Sequence, residues 1–288
     1  MKRSAWLDHA TVKVLDALQK SHQLDRADAR REAYLLLSMA LELSVVKLRT
    51  WPDEELSETE EAHAERLLSR RLKGEPIAYI KGSREFWGLE LKVTPDVLIP
   101  RPETELLVEL GLEHLSGNEP LGLNVLDLGT GSGAIALAIA SERPELNVLA
   151  VDNSETALEV AKTNAERLQI HNLSFLKSDW LSQVPEGQYG LILSNPPYVA
   201  PGDPHLVEGD LVFEPDIALS AEDNGYADLK RIIEDSRKFL SPGWLLMEHG
   251  ESQADECQHL LKTAGYQQIQ SHTDAAGHMR VTEAYYQP

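Results

Sequence analysis

Apolar positions recur at helical spacing through the first part of the chain. Trp6, Leu7, Ala10, Val14, Leu15 and Leu18 fall on one helical face, and so do Ala33, Leu36, Leu37, Ala40 and Leu41. Ser57-Glu-Thr-Glu60 has the form of a capping box. It opens a helix carrying Ala64, Leu67, Leu68 and Leu72, and Gly74 suits the turn just beyond the end of that helix. After Glu75-Pro76 the texture changes. Ile77-Ala-Tyr-Ile80 and Phe86 to Val93 read as strands punctuated by Gly82 and Gly88, which predicts a bridging hairpin. Val97-Leu-Ile-Pro-Arg-Pro-Glu-Thr104 is an extended loop leading into a helix marked by Leu106, Leu107, Leu110 and Leu115.

From Asn124 the pattern alternates. Asn124-Val-Leu-Asp-Leu128 is a strand, followed by Gly129-Thr-Gly-Ser-Gly133 and the apolar helix Ala134 to Ala140. Next come a strand from Asn147 to Val151 ending at Asp152, a helix through Ala157, Val160, Ala161 and Ala165, and a strand from Leu173 to Leu176. Tyr189 to Leu193 is the fourth strand, and Trp244-Leu-Leu-Met247, Gln267 to Thr273 and Met279 to Tyr286 supply the last three. Repeated strand–helix units imply a largely parallel sheet covered on both faces, with right-handed crossovers. The predicted organisation is a helical domain over 1–75, a β-hairpin and linker over 76–103, and an α/β domain over 104–288.

Composition narrows the class. No apolar segment reaches membrane-spanning length, and Met1-Lys2-Arg3 leads into a helical pattern without a signal-peptide core. A single cysteine, Cys257, excludes disulfides within the chain, so an intracellular, cytoplasmic protein is expected. Net charge is −20, of which −19 falls beyond residue 75. A strongly acidic larger part repels nucleic-acid phosphate and favours a basic or neutral partner. The histidines show no metal-ligand spacing, and no metal is expected.

Candidate chemistry gathers at strand ends. The glycines of Gly129-Thr130-Gly131-Ser132-Gly133 permit a tight turn and close approach to backbone N–H groups aimed by a helix start. Their spacing is not the dinucleotide Gly-x-Gly-x-x-Gly. Asp152, ending the second strand, is placed to accept both hydrogen bonds of a ribose diol. Asp179-Trp180 follows the third strand and predicts an adenine pocket, with an acceptor for the amino group and an aromatic wall; plain packing of the indole serves the same pattern. The fourth strand ends in Ser194-Asn195-Pro196-Pro197-Tyr198. Two successive prolines make a stiff turn, and Asn195 before Pro196 is held extended. Arg101, between two prolines, is pre-positioned either to hold a carboxylate or to pair with a nearby acid. A nicotinamide oxidoreductase also suits Asp152 after a glycine loop, but the glycine spacing and the Asn195 turn disfavour it.

Val125-Leu-Asp-Leu-Gly-Thr-Gly-Ser-Gly133 with Asp152 resembles the S-adenosylmethionine site of class I methyltransferases. Asn195-Pro-Pro-Tyr198 resembles the signature of those that methylate a planar, conjugated nitrogen. Gly74-Glu-Pro-Ile-Ala-Tyr-Ile80, Glu85-Phe-Trp-Gly-Leu89, the Val97–Thr104 loop and Glu248-His-Gly250 extend the likeness to the HemK/PrmC family over nearly the whole chain. That resemblance implies a Rossmann-like, mainly parallel seven-stranded sheet with an antiparallel last strand. It further implies methyl transfer from S-adenosylmethionine to the glutamine N5 of the Gly-Gly-Gln motif in peptide-chain release factors, modulating translation termination. Asn195, Pro196 and Tyr198 become the catalytic residues, and Pro197 joins them in binding substrate. Gly129 to Gly133, Asp152, Asp179, Trp180 and Asn195 become the cofactor site. A related glutamine methyltransferase acting on a ribosomal protein shares the catalytic motif, but Pro100-Arg-Pro-Glu-Thr104 favours the release-factor branch. A DNA or RNA amino-group methyltransferase would use the same four residues, against which the acidic charge counts. Asp223-Asn-Gly-Tyr-Ala-Asp228 departs from the family, which more often has a glycine-rich sequence there.

Overall fold

The structure is a computed structural model describing residues 1–116, 124–186, 189–207 and 209–288. It divides into two compact units, Met1–Gly82 with Pro204–Phe213, and Ser83–Asp203 with Glu214–Pro288.

The first unit is helical: α1 (Arg3–Leu18), α2 (Arg26–Leu41), α3 (Val45–Thr50), α4 (Glu58–Arg71) and α5 (Ile77–Lys81). Trp6, Leu7, Leu36, Leu37 and Leu68 are fully enclosed in its core. The capping box forms as the sequence predicts: Glu60 N donates to Ser57 Oγ at 3.3 Å, and Ser57 N to Glu60 Oε2 at 2.8 Å. Two features differ from expectation. Ile77–Ile80 is a helical turn rather than a strand. A short apolar run carries no clear period, Pro76 fits a helix start, and Ile80 completes the helical core. The unit also takes in Pro204–Phe213, which the sequence assigns to the α/β domain. Arg71 explains this. Its guanidinium is 2% exposed, and Nη1 meets Asp210 Oδ1 at 3.1 Å while Nε and Nη2 meet Glu32 at 2.8 and 3.0 Å. Such a charge is tolerated inside because every face of it is paired.

The second unit opens with the hairpin, β1 (Ser83–Phe86) and β2 (Leu89–Lys92), joined through Trp87-Gly88. Both turn residues have positive φ, 53° and 71°, which matches the right-handed twist of paired strands. The hairpin therefore lies wholly within 83–92, where the sequence paired 77–80 with 86–93. After α6 (Glu105–Leu115) come β3 (Asn124–Leu128), α7 (Ala134–Glu142), β4 (Asn147–Asp152), α8 (Glu155–Leu168), β5 (Leu173–Lys177) and β6 (Tyr189–Ser194). The chain closes with β7 (Leu240–Glu248), β8 (Gln267–Thr273) and β9 (Met279–Tyr286), and helices Ala227–Ser236 and Ala254–Thr263 flank β7.

The seven strands lie in the order β5-β4-β3-β6-β7-β9-β8. Pairs from β5 to β7 are parallel, and β9 runs antiparallel to both of its neighbours. Alternate residues of β3 and β6 feed two cores: Val125, Leu191 and Leu193 pack with α6 and α7, and Leu126, Leu128 and Ile192 with the later helices. Burial on both faces is why these strands read as unbroken apolar runs. The chain lays β4 and β5 on one side of β3 and β6 and β7 on the other, so the carboxyl ends of β3, β4 and β6 open a crevice at that switch of strand order. Cys257 is enclosed in the second core, and burial pushes its thiol up to about 12. Among the described residues no helix is long and apolar enough to cross a membrane.

Candidate active site

A cavity of about 250 Å³ occupies that crevice. Gly129, Gly131, Asp152, Asp179, Trp180, Asn195 and Pro197 line it, from the ends of four parallel strands. Thr130, Ser132, Gly133, Pro196 and Tyr198, also singled out from the sequence, do not. Thr130 and Ser132 are buried behind the loop, where Thr130 Oγ1 donates to Asp127 Oδ2 at 2.6 Å and Ser132 O accepts from Asn164 Nδ2 at 2.9 Å. These contacts hold the loop's shape rather than face a ligand.

Gly129 adopts φ +73°, and a Cβ there would stand 3.2 Å from the Trp180 ring. The indole therefore closes directly on the loop backbone, and its Nε1 donates to Asp228 Oδ1 at 2.8 Å. Asp152 grips the loop from the other side. Its Oδ2 accepts from Gly131 N at 2.9 Å and its Oδ1 from Ser154 N at 2.8 Å. Burial raises the Asp152 carboxyl above its ordinary value, with the backbone donors pulling the other way. Behind it, Asp127 is fully buried and pushed up to about 7 by burial.

Asp179 is not a bare acceptor. Both its carboxylate oxygens accept from Arg231 at 2.8 Å, a partner the sequence pattern did not flag. Arg231, Asp228, Ser178, Val97, Leu98, Ile217, Ala218 and Ser220 all border the cavity. Val97 and Leu98 open the Val97–Thr104 loop and Ser178 precedes Asp179, whereas Arg231 lies 52 residues from the acid it pairs with and had no signal in the sequence. Arg101 takes the second of its two roles. It pairs with the carboxylate of Glu214, whose other oxygen accepts from Ile99 N at 3.0 Å.

The Asn195 turn is anchored at Ser194, Asn195 and Tyr198. Ser194 Oγ donates to Leu128 O at 2.9 Å, tying β6 to β3 just before it. Asn195 Nδ2 donates to Thr104 Oγ1 at 3.2 Å, which leaves Oδ1 as the side chain's acceptor. Tyr198 O accepts from Gln253 Nε2 at 3.2 Å, and Tyr198 OH donates to Glu248 Oε1 at 3.2 Å. Burial and the Glu248 charge raise the phenol, which stays protonated. Behind the turn, Asp223, Asn224 and Gly225 form a run of positive φ values of 54°, 57° and 85°. Asp and Asn tolerate this region best among non-glycine residues, so Asp223 and Asn224 suit the bend they form.

The arrangement offers a slot with acidic acceptors at one end and a rigid amide at the other. The chain is a methyltransferase: residues 104–214 match the Methyltransferase small domain and residues 16–82 the PrmC N-terminal domain. A methyltransferase structure from Pyrococcus furiosus shares the fold at TM-score 0.54 and 19% identity, over 78% of this chain and 100% of that one. The release factor glutamine methyltransferases of Aliivibrio fischeri and Vibrio cholerae are each 48% identical to it, over 87% and 88% of this chain and 88% and 89% of theirs. That of Escherichia coli is 45% identical, over 90% of this chain and 93% of its own. The chain belongs to the release factor glutamine methyltransferase family.

Proposed function

We propose that this protein transfers a methyl group from S-adenosylmethionine to the side-chain amide nitrogen, N5, of the glutamine in the Gly-Gly-Gln motif of peptide-chain release factors. The observation that carries the reading is Asn195-Pro-Pro-Tyr198 on the rim of the glycine-loop cavity, in a chain 45–48% identical to proteins of that name.

The cavity suits the cofactor. Asp152 presents a carboxylate for a ribose diol, the Trp180 indole supplies an apolar wall, and the Gly129 backbone leaves no side chain in the way. Asp179, with Arg231 beside it, lies where an adenine amino group would be received. When bound, S-adenosylmethionine supplies an electrophilic methyl on a sulfonium.

An amide nitrogen is a weak nucleophile because its lone pair is delocalised into the carbonyl. The protein's task is to hold the NH₂ with nitrogen facing the methyl. Asn195 Oδ1 and the Pro196 carbonyl accept hydrogen bonds from its two N–H groups and favour positive charge developing on nitrogen as the S–CH₃ bond breaks and the N–CH₃ bond forms, one N–H proton then leaving to solvent. Tyr198, its hydroxyl tied back to Glu248, sets its ring against the planar amide and the cationic centre. Positioning of this kind supplies roughly 7–11 kcal/mol in favourable cases, enough to be the main term here. Recognition of the release factor falls to the helical unit.

The deciding assay is radiolabelled methyl transfer to a release factor and to its Gly-Gly-Gln→Gly-Gly-Ala variant. Labelling of the first alone is expected; equal labelling of both overturns the proposed target.

A further inference from the structure

Asn195 serves as an acceptor only when its side-chain amide is turned one way; reversed, it would present NH₂ to the substrate's NH₂. The structure shows what sets that direction. Asn195 Nδ2 donates to Thr104 Oγ1, so Oγ1 is accepting and its own proton must point elsewhere. Thr104 is 4% exposed, with no solvent to take it. Beside it, at the carboxyl end of β7, lies Glu248, itself 1% exposed. Its Oε1 accepts from Tyr198 OH, and its Oε2 accepts no hydrogen bond of ordinary geometry among the described residues. The Thr104 hydroxyl is nonetheless close enough to favour the charged carboxylate.

We propose that Glu248 is a positioning residue: its carboxylate draws the Thr104 and Tyr198 hydroxyl protons toward itself, fixing Thr104 Oγ1 as an acceptor and turning Asn195 Oδ1 to the substrate amide. The inference rests on the methyl-transfer reading above. Protonating Glu248 reverses the chain of donors. The carboxyl then donates to Thr104, Thr104 donates to Asn195, and the amide turns its NH₂ outward. Burial pushes Glu248 up to about 7, so this reversal falls near neutral pH. Thr104, Tyr198 and Arg280 on β9 hold it down, and Glu103 in the turn before α6 raises it further. The adjacent His249 is kept below its ordinary value by burial and is engaged through Nε2 with Thr282 Oγ1 at 2.7 Å.

The test is single-turnover methyl transfer by the full-length protein to a release factor between about pH 6 and 8.5, with cofactor Kd measured alongside. The wild-type rate is expected to fall as pH drops through about 7, because the carboxylate is the working form; cofactor Kd stays level. Glu248→Gln and Thr104→Val are each expected to slow transfer about tenfold or more and to flatten that acid limb, with KM and cofactor Kd within about twofold of wild type. Thr104→Ser, which keeps the hydroxyl, retains the limb. No acid limb in the wild type overturns the proposal. So does a limb that persists in Glu248→Gln or Thr104→Val, or a rate loss matched by lost cofactor affinity. A wild-type protein that labels no release factor at all overturns the underlying reading instead.

Discussion

Arg231 holds both carboxylate oxygens of Asp179 at 2.8 Å, on the wall of the cavity proposed for the cofactor. The two side chains are 41% and 51% exposed, and an exposed pair contributes only about 0–1 kcal/mol to stability. Asp179→Ala is therefore expected to leave the melting temperature nearly unchanged while weakening S-adenosylmethionine binding about tenfold, the cost of one lost polar contact. Calorimetric titration beside a thermal melt separates the two effects. A lower melting temperature with unchanged affinity would make Asp179 a structural residue only.

Asn195→Ala removes the acceptor without touching the glycine loop. Turnover is expected to fall at least about 100-fold, as for loss of a donor or acceptor aimed at developing charge. Cofactor affinity stays within about twofold, since the acceptors proposed for the nucleoside lie on other strands. Turnover near the wild-type level in the purified variant would sink the proposed positioning.

Gly225 tests the support behind the motif. It adopts φ +85°, and a Cβ there would stand 2.1 Å from the Tyr198 carbonyl oxygen. Gly277 has nearly the same φ, +88°, with nothing within 4 Å. Backbone strain alone costs about 1–3 kcal/mol, so both alanine variants lose some stability. Gly225→Ala is expected to lose more, and to lose turnover as well, because the turn must shift. Equal melting temperatures and equal rates for the two variants would show that the turn absorbs the contact freely.

The helical unit carries a pH dependence through His22. Burial first, and then Arg71, hold its imidazole below the ordinary value, against Asp210 and Glu32. Unfolded, it titrates near 6.5. The unfolded chain therefore binds the extra proton first as pH falls, so this contribution is complete above about 6.5 and is lost as pH drops through the folded value. Thermal melts between about pH 5 and 8 are expected to show a steeper acid-side decline in wild type than in His22→Gln. Parallel curves would exclude His22 as the source.

The sequence carried the α/β sheet, the cavity's rim and the Asn195 turn, because each is written locally. Strands buried on both faces leave unbroken apolar runs, and a glycine loop or an Asn-Pro-Pro turn is contiguous. What it did not carry is pairing across the chain. Arg71 with Asp210, Asp179 with Arg231 and Asn195 with Thr104 are separated by 139, 52 and 91 residues. Ile77–Ile80 departs from the strand pattern for a different reason. Four apolar-rich residues fit a strand and a helical turn equally well, and only the core beside Ile80 decides between them.

Residues 204–213 leave a practical mark on how this protein can be taken apart. The chain passes from one compact unit to the other at Gly82–Ser83, again at Asp203–Pro204, and back at Phe213–Glu214. No single cut yields two intact pieces. Removing residues 1–82 would strip Asp210 of its Arg71 contact and leave ten residues of the helical unit without the rest of it. A graft of the helical unit onto another enzyme would have to carry both stretches, which makes this unit an inlaid part rather than an interchangeable cassette.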